Sequence, residues 1–441
     1  MPRAEGGWHR LAAIGAIATI LSGCGGASGS PTPAPTPTAG LFVDAGSDRG
    51  NISSLVYGST IGPGLGDSAE INSRIVSAGL TTVSFPGGSW GDENDIQADQ
   101  VDQLIASCKR SAAPRIVARL KGGTAQAAAD LVTYANVTKG YGVRYWGIGN
   151  EPDLYEANGQ TGYDVDRYNA EWRSYAQAMK AVDPGIKLVG PDLSQFVAHP
   201  VSADQEARTS WLISFLKANG DLVDVVSVHR YPFPADAGTA PTKDELRANG
   251  REWDNMVAVL REIAFAETGR NLPVAVTAAN SSRVANSGGE ATLDSHYNAI
   301  WWADVLGRLI RQDAYMVDQD AVSGDRGIFG PNGPGPIFNV YQLYSKFGYK
   351  QVRAVSDDPL VSIFAARQQY GTLELMIVNL ASTPQTKQIT VIGWKSWETE
   401  TWLFDETHPT QMTGRGQFGD GTVTLPPESV TLLIVGTPIG V

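Results

Sequence analysis

From Gly40 onward, short apolar runs alternate with longer stretches whose apolar residues recur at helical spacing, the pattern of repeated strand-helix units around a parallel sheet. The runs that read as strands are 54–57, 81–85, 115–120, 145–148, 187–190, 223–228, 274–277 and 315–317, and helical spacing recurs in stretches such as 130–138, 167–182, 207–218, 243–268 and 295–311. Eight such units predict an α/β fold, a (β/α)8 barrel with its active site at the C-terminal ends of the strands. After about Tyr349 the period changes to two, as in 373–379, 423–425 and 430–435, which predicts an antiparallel β-sandwich domain. The expected organisation is a leader over 1–24, a linker over 25–39, a barrel over 40–348 and a β-domain over 349–441.

The leader carries Arg3 and Arg10, then an apolar run over 11–21 that is too short to span a bilayer comfortably. Leu21-Ser22-Gly23-Cys24 resembles a bacterial lipobox, which implies export, lipidation of Cys24 and anchoring on the outer face of a membrane. A plain secretory signal with an incidental cysteine is the competing reading. The following low-complexity stretch, with Pro31-Thr32-Pro33-Ala34-Pro35-Thr36-Pro37, would hold a folded domain off that surface. The only other cysteine is Cys108, so no disulfide framework exists and stability rests on the core. The formal net charge of -12 disfavours nucleic acid and anionic lipid as main partners and suits an uncharged or weakly charged substrate.

Candidate chemistry begins at Trp146-Gly147-Ile148-Gly149-Asn150-Glu151-Pro152-Asp153, where the fourth barrel strand ends. Asn-Glu-Pro at that place resembles the acid/base motif of glycoside hydrolase clan A, including families 39, 44, 51 and 79. The resemblance implies a retaining glycosidase acting on an oligo- or polysaccharide, with Glu151 donating a proton to the leaving glycosidic oxygen and Asn150 holding a neighbouring hydroxyl. A helix-capping Asn-Glu-Pro in a loop would need no function. Two further strand ends resemble the same families. Ser227-Val228-His229-Arg230-Tyr231-Pro232-Phe233-Pro234 offers His229 and Tyr231 as substrate-binding residues. Phe85-Pro86-Gly87-Gly88-Ser89-Trp90-Gly91-Asp92 offers Trp90 for stacking on a sugar ring. Tyr155, Phe233, Trp301 and Trp302 are further aromatic candidates.

Three positions depart from the pattern. At the seventh strand end, Val276-Thr277-Ala278-Ala279-Asn280-Ser281-Ser282 has Ala278 where the family carries the nucleophilic Glu. Ser84 stands where many relatives have an Arg, and Asp320 lies near an expected aromatic. Three accounts of Ala278 compete: an engineered knockout, a relative that binds glycans without turning them over, or a rewired enzyme in which Asp318, Asp320 or Glu290 activates a water. The five histidines are scattered without paired ligand spacing, and the glycine-rich stretches match no phosphate or dinucleotide loop, so neither metal nor cofactor is expected.

Overall fold

The computed structural model describes residues 39–64, 66–233, 240–368, 371–394, 398–419 and 421–436. The leader, Cys24 and the proline-rich linker lie outside the described residues. Strand β1 (Leu41–Asp44) is followed by eight parallel strands that close into a barrel: β2 (Leu55–Thr60), β3 (Thr82–Phe85), β4 (Ala113–Ala118), β5 (Tyr145–Ile148), β6 (Lys187–Leu193), β7 (Val225–Arg230), β8 (Val274–Ala279) and β9 (Met316–Gln319). These strands were legible because their outer residues face helices, which makes each a nearly continuous apolar run. Val56, Val83, Ile116, Trp146, Leu188, Val226, Val276 and Val317 all lie in the core between strands and helices.

A short hairpin, β10 (Phe329–Gly330) and β11 (Gly333–Pro334), precedes the second domain. That domain holds β12 (Lys350–Ser356), β13 (Val361–Arg367), β14 (Leu373–Asn379), β15 (Gln385–Ile392), β16 (Glu398–Asp405), β17 (His408–Gln417), β18 (Thr422–Leu425) and β19 (Ser429–Val435). The nine-stranded order is β17-β16-β19-β14-β13-β12-β1-β15-β18. Two expectations are corrected here. Leu41–Asp44, assigned by sequence to the barrel segment, is a strand of the second sheet, antiparallel to β12 and parallel to β15. The sheet is therefore mixed, not purely antiparallel.

Period-two alternation gives β13, β14 and β19 two buried faces. Ile363, Leu375, Ile377 and Leu433 fill the sandwich's own core, while Phe364, Met376, Val378 and Leu432 join the barrel's. The helix His296–Arg311 is buried from Tyr297 through Ile310 because the sheet covers the side that would otherwise face water. Gly307 makes that approach possible, since a Cβ there would run into the Phe364 ring. The single helix expected over 243–268 is broken into Lys243–Asn249, a 3-10 turn Gly250–Asp254 and Met256–Thr268. Asn249 accepts hydrogen bonds from both Trp253 (3.0 Å) and Trp301 (3.3 Å), and this tethers the break against the His296–Arg311 helix. Among the described residues no helix is long and apolar enough to cross a membrane.

Candidate active site

At the end of β5, Gly149 and Glu151 both take left-handed backbone conformations, with φ of 75° and 48°. Gly149 needs its missing side chain, because a Cβ would lie 2.8 Å from the Tyr155 hydroxyl. A non-glycine residue in this region costs about 1–3 kcal/mol and persists only where surrounding contacts hold it. Here the Glu151 amide donates to the Asp192 carbonyl (3.1 Å), and its own carbonyl accepts from Leu154 (2.9 Å) in the turn opened by Pro152. The turn aims the carboxylate at β7, where His229 Nδ1 lies 3.1 Å from Glu151 Oε1. Glu151 keeps 18% of its side chain exposed while His229 keeps 5%.

Burial alone would lower the His229 pKa. The hydrogen bond to Glu151 and the charges of Asp192 and Glu151 outweigh it, so the pKa is raised. His229 Nε2 sits 3.9 Å from Asp192 Oδ1, and thus the imidazole stands between two carboxylates. Two more buried carboxyls flank Glu151. Asp92 is pushed up to about 7 by burial, which exceeds the lowering by the Tyr155 hydroxyl and the Asn150 amide (3.2 Å). Asp153 is pushed up to about 6 by burial, against donors from the Ser194 amide (2.9 Å) and hydroxyl.

Beneath the mouth, the lumen is polar where barrels of this class normally stack branched aliphatic side chains. Arg115 on β4 reaches across to an ion pair with Asp192 on β6. Asp192 also accepts from Ser227 (2.6 Å) and Thr277 (2.7 Å). Burial raises the Asp192 pKa, but Arg115, His229 and these hydroxyls together hold it below the usual carboxylate range. Ser84, flagged for lacking an arginine, is the register partner of Arg115, whose Nη1 lies 3.5 Å from the Ser84 hydroxyl. The neighbouring strand therefore supplies a guanidinium to this part of the lumen. Glycine makes it fit: a Cβ at Gly147 would sit 2.6 Å from Arg115 Nη2, and one at Gly58 would run into Asp318.

Asp318, a candidate base by sequence, is fully buried in this lower layer, where its Oδ2 accepts from Ser84 (2.6 Å) and its Oδ1 has no hydrogen-bond partner among the described residues. Burial pushes its pKa up to about 7. The folded chain holds a proton there that the unfolded chain, with a carboxyl pKa of about 3.9, releases. This contribution is therefore full below about pH 4 and is lost as pH rises to about 7. Asp318→Asn, which cannot ionise, should gain thermal stability relative to the parent over that interval. Melting curves at pH 4 and pH 8 test this, and a difference that does not change with pH would refute it.

At the mouth, Asp320 accepts from Thr60 (2.8 Å) and Tyr231 (3.1 Å) and pairs with Arg326 (2.9 Å), so both its oxygens are engaged. Glu290 is exposed in the long loop after β8. Ala278 is the register partner of His229, just beyond an irregularity in the β7–β8 ladder. Thr277 faces Asp192 and Ala279 packs into the outer core, whereas Ala278, 7% exposed, belongs to neither. Trp90 is half-buried at the first position of the short helix Trp90–Glu93 that follows β3. Tyr155, Trp301 and Trp302 are core residues, which corrects their reading as sugar-stacking candidates. Sequence reasoning missed Arg115, Asp192, Asp92 and Asp153. The available signals were an arginine inside an apolar strand and the Gly190-Pro191-Asp192 strand end. Among the described residues no cluster of three or more His, Cys, Asp or Glu could hold a metal ion.

No family model matches the chain. Over 200 residues it is 26% identical to an intracellular exo-α-(1→5)-L-arabinofuranosidase of Streptomyces lividans, a stretch that covers 36% of this chain and 29% of that protein. The chain thus spans less than a third of the curated relative it matches. The fold is similar to an α-L-arabinofuranosidase of Thermotoga maritima in complex with arabinose, with a TM-score of 0.70, 17% identity, and coverage of 90% of this chain and 100% of that one. It is also similar to a family 44 xyloglucanase of Paenibacillus polymyxa with xyloglucan, with a TM-score of 0.69, 17% identity, and coverage of 90% and 99%. The structural neighbours are clan A glycoside hydrolases, and the chain shares their architecture of barrel plus β-sandwich.

Proposed function

We propose that the barrel mouth is a glycosidase site of the retaining clan A type that takes a plant- or microbe-derived glycan, with Glu151 as acid/base and the nucleophile position occupied by Ala278. The observation that carries this reading is the Glu151–His229 contact at two barrel strand ends, with Ala278 in register beside His229. Glu151 can protonate a leaving oxygen, and His229 fixes the carboxylate's orientation. Nothing at 278 can attack the anomeric carbon or oppose positive charge on it, so the chain as it stands binds its saccharide and turns it over slowly. The fully engaged Asp320 and the buried Asp318 favour this over a rewired base.

The neighbours suggest the first ligands to try. Titration calorimetry of the chain with α-1,5-linked arabino-oligosaccharides and with xyloglucan oligosaccharides should show saturable binding to at least one. His229→Ala or Tyr231→Phe should weaken it about tenfold, the loss of roughly one buried hydrogen bond. Binding to neither, or binding untouched by both substitutions, would overturn the assignment of the mouth.

Cys24 is proposed as the lipid attachment site of an exported, outer-face lipoprotein. A cell-fractionation experiment should find the chain with membranes and its Cys24→Ser variant released. An equal distribution of both would contradict the anchor.

A further inference from the structure

A cleft of about 360 Å³ opens where β12 and β13 of the sandwich meet the Gly250–Asp254 turn and the last turn of the His296–Arg311 helix. Arg49 and Arg311 each lie a few residues before the first residue of a barrel strand, which sets the cleft toward the end of the barrel opposite Glu151. Five guanidinium groups line it, from Arg49, Arg251, Arg308, Arg311 and Arg353, against two carboxylates, Asp254 and Asp358.

The carboxylates are already committed. Asp358 is held by Lys387 (2.5 Å), and Asp254 accepts from both Arg308 (2.6 Å) and Arg311 (2.5 Å). Arg308 is fixed further by Asp304 (2.8 Å) and by donation to Ser362 (3.2 Å), and Arg353 lies over the Phe42 ring. Arg49 and Arg251 are exposed and make no side-chain hydrogen bond or ion pair among the described residues. Burial lowers the Arg311 pKa, and the charges of Arg308 and Arg49 add to that despite Asp254, a sign of crowded positive charge. Such convergence runs against the chain's net charge of -12.

We propose that this cleft binds a small ligand carrying two or more oxyanion groups, carboxylate or phosphate, with Arg308 and Arg311 as its fixed wall and Arg49 and Arg251 closing on the ligand. Planar guanidinium forks suit both groups because each can donate two parallel hydrogen bonds. The proposal is independent of what the barrel mouth does.

Calorimetry on the full chain at low ionic strength, with citrate, pyrophosphate and sulfate as separate probes, tests it. Citrate or pyrophosphate should bind at one site, and the tighter of the two identifies carboxylate or phosphate as the preferred group. The Arg49→Ser/Arg251→Ser double variant, whose changes remove no side-chain hydrogen bond or ion pair among the described residues, should bind it at least tenfold more weakly with an unaltered circular dichroism spectrum. Arg110→Ser, an exposed cation elsewhere, should change nothing. Saturation by neither polyanion, sulfate binding as tight as theirs, unchanged affinity in the double variant, or an equal loss in Arg110→Ser would each overturn the proposal.

Discussion

Replacing Ala278 with Glu should raise hydrolysis of a matched activated aryl glycoside by several orders of magnitude and release the product with retained anomeric configuration. The expectation follows from what double displacement requires. Two carboxyl groups about 5 Å apart work in turn, one bonding to the anomeric carbon and one moving the proton, and loss of the first removes an entire covalent step. Removing a nucleophile from an otherwise intact site leaves only the residual rate supplied by binding and the remaining groups. Here those groups are arranged already: Glu151 is held by His229 and the Asp192 carbonyl, and Thr277, next to position 278, is anchored on Asp192. The measurement is product release from a panel of 4-nitrophenyl glycosides, with the anomer followed by NMR. No gain on any member would reject position 278 as the nucleophile's.

In that Ala278→Glu background, Glu151→Gln should divide substrates by leaving group. Glycosides with poor leaving groups should slow by about 10² to 10⁴, the usual worth of a positioned proton donor. For dinitrophenyl glycosides, which depart without protonation, the first step should be nearly unaffected, and deglycosylation becomes limiting because the same residue deprotonates the incoming water. An equal first-step loss on both substrate types would show that Glu151 acts through structure alone.

The eight barrel strands were legible because apolar runs bounded by turn residues have one economical arrangement when eight recur with helices between them. β1 escaped because four residues after a proline-rich stretch carry too little pattern, and Leu41 pairs with Ser356 far along the chain. The break at Gly250 is set by Asn249, whose amide oxygen accepts from two tryptophans, a tertiary contact that helical periodicity does not register. Glu151, His229 and Tyr231 stood out through motif and strand-end position, and the structure places His229 against Glu151 and Tyr231 against Asp320. The layer below them was hidden. Whether Arg115 or Asp192 points into the lumen depends on strand parity and on irregularities such as the one between Pro191 and Leu193, which local sequence does not fix. Gly58 and Gly147 make sense only once Asp318 and Arg115 are seen filling the space a Cβ would take.

The most direct test uses the chain unchanged. An activated aryl glycoside of a sugar found to bind is incubated with azide, a small nucleophile that can stand in for the carboxylate the proposed site lacks at Ala278. The account predicts azide-dependent release of the phenol, with little release without azide, and a glycosyl azide of inverted configuration as product. Rapid release without azide, or a glycosyl azide of retained configuration, would contradict it.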